Sequence, residues 1–443
     1  MTLRLVESLV STEPLAAEFS DNAILAALLN FEVALARVEA RLGVIPNAAA
    51  DAIAGAAVQD DFDAPSIARA ARESGTIVIA FVEALRKRVA RSNASAATYV
   101  HWGATSQDAS DTALVLCLKH AFPGVIADHD RVVRALRALS DQHAGTVMLA
   151  RTLMQSAPPT TFGLKAAGWF DSTSRAGAQM ARALEDACVL QFGGASGTLA
   201  AIGSNGVAVA AGLAQELGLK NPGAPWHAHR DRLASFVAAC GVYTGTLAKI
   251  ARDIALLMQD EVAEAAERGG GSSTMPHKRN PAGCAVALAA AARVPGLVAT
   301  FLSTMPQEHE RGVGGWHAEA STVAAVVQAT ASAASAIAGV LEGLTVDAER
   351  MLANIAATNG VVFAERAMTL LASALGRDKA SALIASALDA ARRERRGFVD
   401  VLAANADVNA ALPADVLATL ADPTAYLGAA EQFRRHLMDD SPK

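Results

Sequence analysis

The chain has 443 residues and a mass of 45.5 kDa, enough to bury a sizeable core and to divide into two or three domains. Its 38 basic and 44 acidic residues leave a net charge of −6, which offers no electrostatic footprint for nucleic acid. Hydrophobic residues make up 52% and aromatics only 5%; alanine fills the difference, and as the best helix former it predicts long, closely packed helices.

The opening stretch, MTLRLVESLVSTEP, carries acidic residues and no apolar h-region, so no signal peptide is expected. The four cysteines (Cys117, Cys188, Cys240, Cys284) form no CxxC pair and sit in alanine-rich surroundings, as buried thiols of a cytoplasmic protein would. From Asp21 to Leu42, apolar residues recur at helical spacing, with Asp21 as start and Gly43 as stop. Pro46 opens another helical stretch, and Phe62–Arg91 reads as one or two more with Pro65 near a start. Tyr99–Thr112, YVHWGATSQDASDT, crowds polar groups before a helix; Thr105 or Ser106 is a natural cap, and the free N–H groups of that start can hold a carboxylate. Leu114–His143 is helical with a break expected at Pro123.

Arg151–Gly163, RTLMQSAPPTTFG, is extended by Pro158 and Pro159 and leads into a helix from about Leu164. Ala187–Gln215 is uncharged and glycine-rich, but FGGASGT lacks the spacing and lysine of a nucleotide loop, so close packing or a turn is expected. In PWHAHRD, His227 and His229 are two apart and no carboxylate pattern completes a site; no metal is expected. A coiled-coil-like seam (Leu233, Phe236, Cys240, Tyr243, Leu247, Ile250, Ile254, Leu257) predicts one helix from Asp231 to about Glu267. Glycines 269–271 then end it, and GSSTMPHKRNP, in which Pro276 and Pro281 forbid helix continuation, reads as a mobile cationic loop suited to an anionic substrate. Ala282–Met305 resumes as a helix kinked at Pro295, and QEHERGVGGWHAE breaks the pattern again. Ala320–Leu341 is long and uncharged enough to span a bilayer. It lacks basic or aromatic flanks, so burial among helices and no membrane association are expected. After Leu344 the composition turns charged, as in a small C-terminal helical domain.

GSSTMPHKRNP resembles the GSSxMPxKxNP signature of the fumarase/aspartase superfamily at every fixed position. The resemblance implies an all-α, three-domain fold: an N-terminal domain over 1–111, a central long-helix bundle over 112–345 and a C-terminal domain over 346–443. It also implies a homotetramer whose active sites are shared between subunits. Its implied general base is Ser272, with Ser273 the less favoured of the pair; Lys278, Asn280 and His277 fall on the same loop. The TSxD-like segment carries carboxylate binding onto Thr105, Ser106 and Gln107, with His101 beside them. RTLMQSAPPTTFG matches a segment that lines the site and contributes Gln155, Ser156 and Thr160. Superfamily members commonly have a histidine acid/base where this chain has Ser156. That substitution harms expulsion of an amine, which must be protonated, more than lactone formation, in which the substrate's own carboxylate is the nucleophile.

HWGATSQDxxDT and QEHERxxGGWHAE resemble the carboxymuconate cycloisomerase branch, which adds Arg311, Trp316 and His317 as ligand contacts. The expected activity is therefore lactonisation of a small di- or tricarboxylate with no cofactor. Alternatives are an adenylosuccinate lyase-like enzyme, a cycloisomerase for a substituted muconate such as a sulfonated one, and a non-catalytic helical oligomer.

Overall fold

A computed structural model describes residues 5–271 and 274–439. Their order is almost wholly helical: α1 (Glu13–Glu18), α2 (Asp21–Arg41), α3 (Asn47–Ala56), α4 (Ala64–Ser74), α5 (Ile77–Ser92) and α6 (Ser106–Gln142) precede a hairpin of β1 (Val147–Thr152) and β2 (Gln155–Thr161). Next come α7 (Phe162–Ala187), α8 (Gly206–Leu217), α9 (Asp231–Leu257), β3 (Ala265–Ala266), α10 (Ala282–Thr304), α11 (Gly315–Glu342), β4 (Thr345–Val346) and α12 (Ala348–Ala356), with short helices continuing to Met438. The fold is all-α, as the composition predicts; among the described residues four strands make two small antiparallel pairs, β1 with β2 and β3 with β4.

Helix starts follow their local chemistry. Ser20, one residue before the expected start, caps α2 by accepting from Ala23 N–H. Gly43 (φ +72°) stops the helix in the left-handed region. Pro46 precedes α3, and Pro65 stands in the first turn of α4.

Two expectations need correction. Pro123 does not break α6, which runs 37 residues through it. Pro123 and Lys119 are both exposed, so water can satisfy the Lys119 carbonyl that the proline leaves without an N–H. The seam helix ends at Leu257, about ten residues early. Ala263 takes a left-handed φ of 50°, Glu264 N–H returns to Leu257 O, and the chain enters β3. Glu264 is fully buried and receives both Arg151 guanidinium nitrogens (2.9 and 2.6 Å) and Asn354 Nδ2 (2.7 Å). A longer helix would forfeit these bonds.

The chain forms two compact units. One comprises Met1–His129, Ala176–Ala248 and Val286–Ala336; the other comprises Asp130–Arg175, Lys249–Ala285 and Ile337–Lys443. In the first, α2 packs on α3 and α8 through Leu28, Phe31, Leu35 and Val38, all essentially inaccessible. In the second, α12 packs on β1 and β3 pairs with β4, while Leu371, Phe398, Leu402 and Val408 form a separate apolar cluster. By length and composition alone, α9, α10 and α11 are each apolar enough to cross a membrane. The apolar stretch of α11 is 67% buried, that of α9 56% and that of α10 only 22%.

Candidate active site

In the first unit the polar strings fold onto one another around Asp108. Thr105 stands just before α6, and its N–H donates to Asp108 Oδ2 (3.1 Å), the reciprocal half of a capping box. Asp108 is fully buried. It also accepts the backbone N–H groups of Gly193 (3.0 Å) and Gly194 (2.9 Å), and His227 Nε2 lies 2.6 Å from its Oδ1. The glycine string is thus a turn that wraps a carboxylate of its own chain. A Cβ on Gly193 would lie 2.6 Å from Pro225 Cβ and 2.8 Å from His227 Cε1, so a side chain there would displace the histidine from Asp108.

One turn further along α6, Asp111 receives Arg230 end-on, NH1 to Oδ2 at 2.8 Å and NH2 to Oδ1 at 3.0 Å. Arg230 also donates to Glu319 (2.6 Å from NH2, 2.9 Å from Nε) and lies over the Trp226 ring, 4.5 Å from its centroid. Burial works against the charge on Asp111, but Arg230, Trp316 Nε1–H (2.9 Å) and Gln191 Nε2 (3.3 Å) outweigh it and hold the carboxyl below its usual range. Glu319 fares differently. Burial lifts it to about 7, Asp111 adds to the rise, and Arg230 and Gln307 only partly oppose it. Gln307 Nε2 donates to it at 2.7 Å.

Arg311 closes the cluster: it donates to Gly194 O (2.6 Å), Ala195 O (2.9 Å) and Gln107 Oε1 (3.3 Å). Gln107 is buried, its Nε2 shared between Asp111 (3.1 Å) and His227 O (2.9 Å). The side chains of Gln107, Arg311 and Trp316 are therefore all committed within the chain. Thr105 and Ser106 are half-buried, and His317 is exposed. His317, Trp316, Ser110 and Asp111 border a largely apolar cavity of about 210 Å³ with Ile24 and Leu114.

His101 has a left-handed backbone (φ 63°), and its Nδ1 lies 2.5 Å from Glu32 Oε1. Burial alone would lower its pKa; the Glu32 carboxylate, with Asp108 behind it, raises it overall despite the opposing Arg86.

The second unit holds the other two strings. RTLMQSAPPTTFG forms the turn and second strand of the hairpin, where Ser156 pairs with Arg151 and Thr160 with Met148. Gln155 and Ser156 are exposed and Thr160 is half-buried. The cationic loop is closed at its base. Asn280 N–H donates to Gly270 O (2.7 Å), Gly271 bridges Arg279, and the Glu267 carboxylate accepts Gly283 and Cys284 N–H (2.8 and 3.2 Å) at the start of α10. A Cβ on Gly270 (φ +70°) would fall 1.8 Å from Asn280 O. His277, Lys278, Arg279 and Asn280 border a cavity of about 1050 Å³ with Asp260 and Glu349. Ser272 and Ser273, the expected base and its neighbour, lie outside the described residues. Among the described residues no group of three His, Cys, Asp or Glu side chains could hold a metal ion.

Sequence reading missed Glu32, Arg230 and Glu319 as members of these clusters. The polar strings stand at the starts of α6, α10 and α11. A family profile described as lyase matches residues 7–296, and one described as adenylosuccinate lyase C-terminus matches residues 360–436. The 3-carboxy-cis,cis-muconate cycloisomerase of Bradyrhizobium diazoefficiens is 45% identical over 98% of this chain and 97% of its own length. The nitrosuccinate lyase of Streptomyces davaonensis is 41% identical over 94% of this chain and 90% of its own. The crystal structure of the 3-carboxy-cis,cis-muconate lactonizing enzyme from Pseudomonas putida superposes with a TM-score of 0.92 at 41% identity, covering 98% of both chains. The chain belongs to the lyases of the fumarase/aspartase superfamily.

Proposed function

We propose that this enzyme is a cycloisomerase that lactonises 3-carboxy-cis,cis-muconate. The observation that carries this reading is similarity to cycloisomerases along essentially the whole chain, 45% identical over 98% of it. One substrate carboxylate adds across the conjugated double bond, giving a γ-lactone (4-carboxymuconolactone, in the breakdown of protocatechuate) through an enolate-like intermediate. Lys278 and the start of α6 stabilise that charge. Because the Gln107 amide is engaged elsewhere, the share of α6 falls to the first-turn N–H groups of Ser106 and Gln107, which have no intrahelical partner. Ser272, with Ser273 as the less favoured candidate, exchanges the proton at carbon. His101, Gln155, Ser156, Thr160, His277, Asn280, Arg311, Trp316 and His317 complete the substrate's surroundings, directly or by holding the loops that do. No cofactor takes part.

We place the reaction in a cytoplasmic homotetramer with active sites shared between subunits, built from the three domains 1–111, 112–345 and 346–443. Two features support assembly: the thin cover of α10, and the hairpin tip, where Leu153 is 97% and Met154 71% exposed.

A second reading is elimination from a substituted succinate, favoured by the 41% identity to a nitrosuccinate lyase. A leaving group that departs as a stable anion needs no proton, so Ser156 suits this reaction as well as lactonisation.

The test follows diene absorbance of 3-carboxy-cis,cis-muconate on adding purified enzyme, with nitrosuccinate and adenylosuccinate in parallel. Rapid loss of the diene signal with both succinates inert is expected; turnover of nitrosuccinate alone would transfer the assignment to the second reading. Ser272→Ala should lower the rate by about 10²–10⁴-fold, and full activity in that variant would remove Ser272 from the mechanism.

A further inference from the structure

Glu32 sits in the middle of α2 at 1% exposure, on the helix face that builds the apolar core. Its partner is His101, whose Nδ1 lies 2.5 Å from Oε1. The His101 side chain is 11% exposed, and its Nε2 makes no hydrogen bond among the described residues. The backbone reinforces the placement. His101 holds a left-handed φ of 63°, and Gly103 (φ +67°) follows, where a Cβ would lie 2.4 Å from Ile202 Cγ1. A strained turn, a glycine that admits no side chain and a buried carboxylate together fix the ring in one orientation.

We infer that Glu32 is a positioning residue: by accepting the Nδ1–H hydrogen bond of His101 it sets the ring and favours the imidazolium, whose Nε2–H then donates to a carboxylate of the substrate. The inference rests on the reading of His101 as a substrate-binding residue. Its chemistry is that of tautomer and charge. With Nδ1–H committed to Glu32, a neutral ring has a lone pair at Nε2 and repels a carboxylate. A charged ring has N–H at both nitrogens and attracts one.

The charged groups facing the ring are Glu32 on α2, Asp108 on α6 and Arg86 on α5. Arg86 donates to Val100 O (3.1 Å) and Asp108 is shared with His227, so Glu32 makes the direct contact that favours the cation. Glu39, two turns further along α2, adds no counter-charge. Both its oxygens are buried without a hydrogen-bond partner, and burial followed by Glu32 raises its pKa to about 9, so it stays protonated.

The test is a pH titration of histidine ring resonances in the full-length enzyme, His101 being assigned by its loss in His101→Gln. It is paired with steady-state kinetics on 3-carboxy-cis,cis-muconate. In Glu32→Gln the His101 midpoint should fall, and KM on the alkaline side of the variant's midpoint should rise about tenfold while kcat changes less. On the acid side of the variant's own midpoint it should approach the parent, because the ring is then charged in both. Glu32→Asp should restore part of the pH profile, and Glu39→Met should leave the His101 titration unchanged. An unmoved His101 midpoint in Glu32→Gln overturns the inference whatever the reaction proves to be. A moved midpoint with an unchanged KM profile overturns the donor role. An inactive parent enzyme with the titration as expected would instead sink the lactonisation reading and leave the Glu32–His101 pairing standing.

Discussion

Arg230 and Asp111 meet end-on with the guanidinium wholly inaccessible to solvent, and Glu319 occupies the remaining edge of the same arginine. Three motif strings, HWGATSQDASD, PWHAHRD and QEHERGVGGWHAE, are thereby tied to one cation. Removing that cation leaves two buried carboxyl groups facing each other, whereas removing all three charges leaves none uncompensated. Arg230→Met should therefore cost about 3–5 kcal/mol in urea unfolding. The triple variant with Asp111→Asn and Glu319→Gln should recover a substantial part of that. Additive losses would show that the three residues do not act as a unit.

Gly270 controls the base of the cationic loop. Alanine there would need its Cβ 1.8 Å from Asn280 O, so the Asn280 bond to Gly270 must open. The loop residues Thr274–Arg279 are exposed, and little core packing depends on them. Gly270→Ala should then leave the melting temperature nearly unchanged while kcat/KM falls by about 10²-fold, the scale expected when a catalytic group is displaced by an ångström. A matching fall in stability would mean that the loop supports the fold.

Glu39 makes stability depend on pH in an unusual direction. Its pKa in the folded chain, about 9, stands above the ordinary 4.5, so between those values the native state keeps a proton that the unfolded chain releases. The contribution is fully present below about 4.5 and is lost as pH rises toward 9, with a slope approaching 1.4 kcal/mol per pH unit in mid-range. Glu39→Met should stabilise the protein increasingly from pH 5 to pH 9 in denaturant titrations. A difference that stays constant with pH would contradict this account.

The hairpin tip gives a test of assembly. Leu153 (φ 49°) and Met154 (φ 65°) are left-handed yet carry large exposed side chains, at roughly 1–2 kcal/mol each relative to a relaxed turn. Leu153→Asn with Met154→Gly supplies the residues such a two-residue turn prefers. The double variant should fold well but sediment as smaller species than the parent. Unaltered sedimentation would show that the tip makes no intersubunit contact.

Much of the fold was legible because its signals are local. Asp21, Pro46 and Pro65 each mark a helix start within a residue or two, and the motif strings announced themselves as breaks in helical periodicity. The end of α9 was not legible, because what stops it is the demand of Arg151 and Asn354 for Glu264, made from about a hundred residues away. The same holds for Arg230, whose partners are 119 and 89 residues distant. Glu32 and Glu39 did leave a trace: two acids one heptad apart on the apolar stripe of α2, where charge has no place without a reason.

The pairing of Asp108 with Gly193 and Gly194 also bears on what this enzyme cannot bind. Consecutive glycine N–H groups are a receptor for oxyanions in many proteins, and here the anion is covalently attached to the receptor. Any free oxyanion would have to displace a carboxylate that the fold already holds there. Asp108→Ala would vacate that seat and expose two orphaned donors. The turn is thus filled by an anion of its own chain, and its two N–H groups are spent inside the fold.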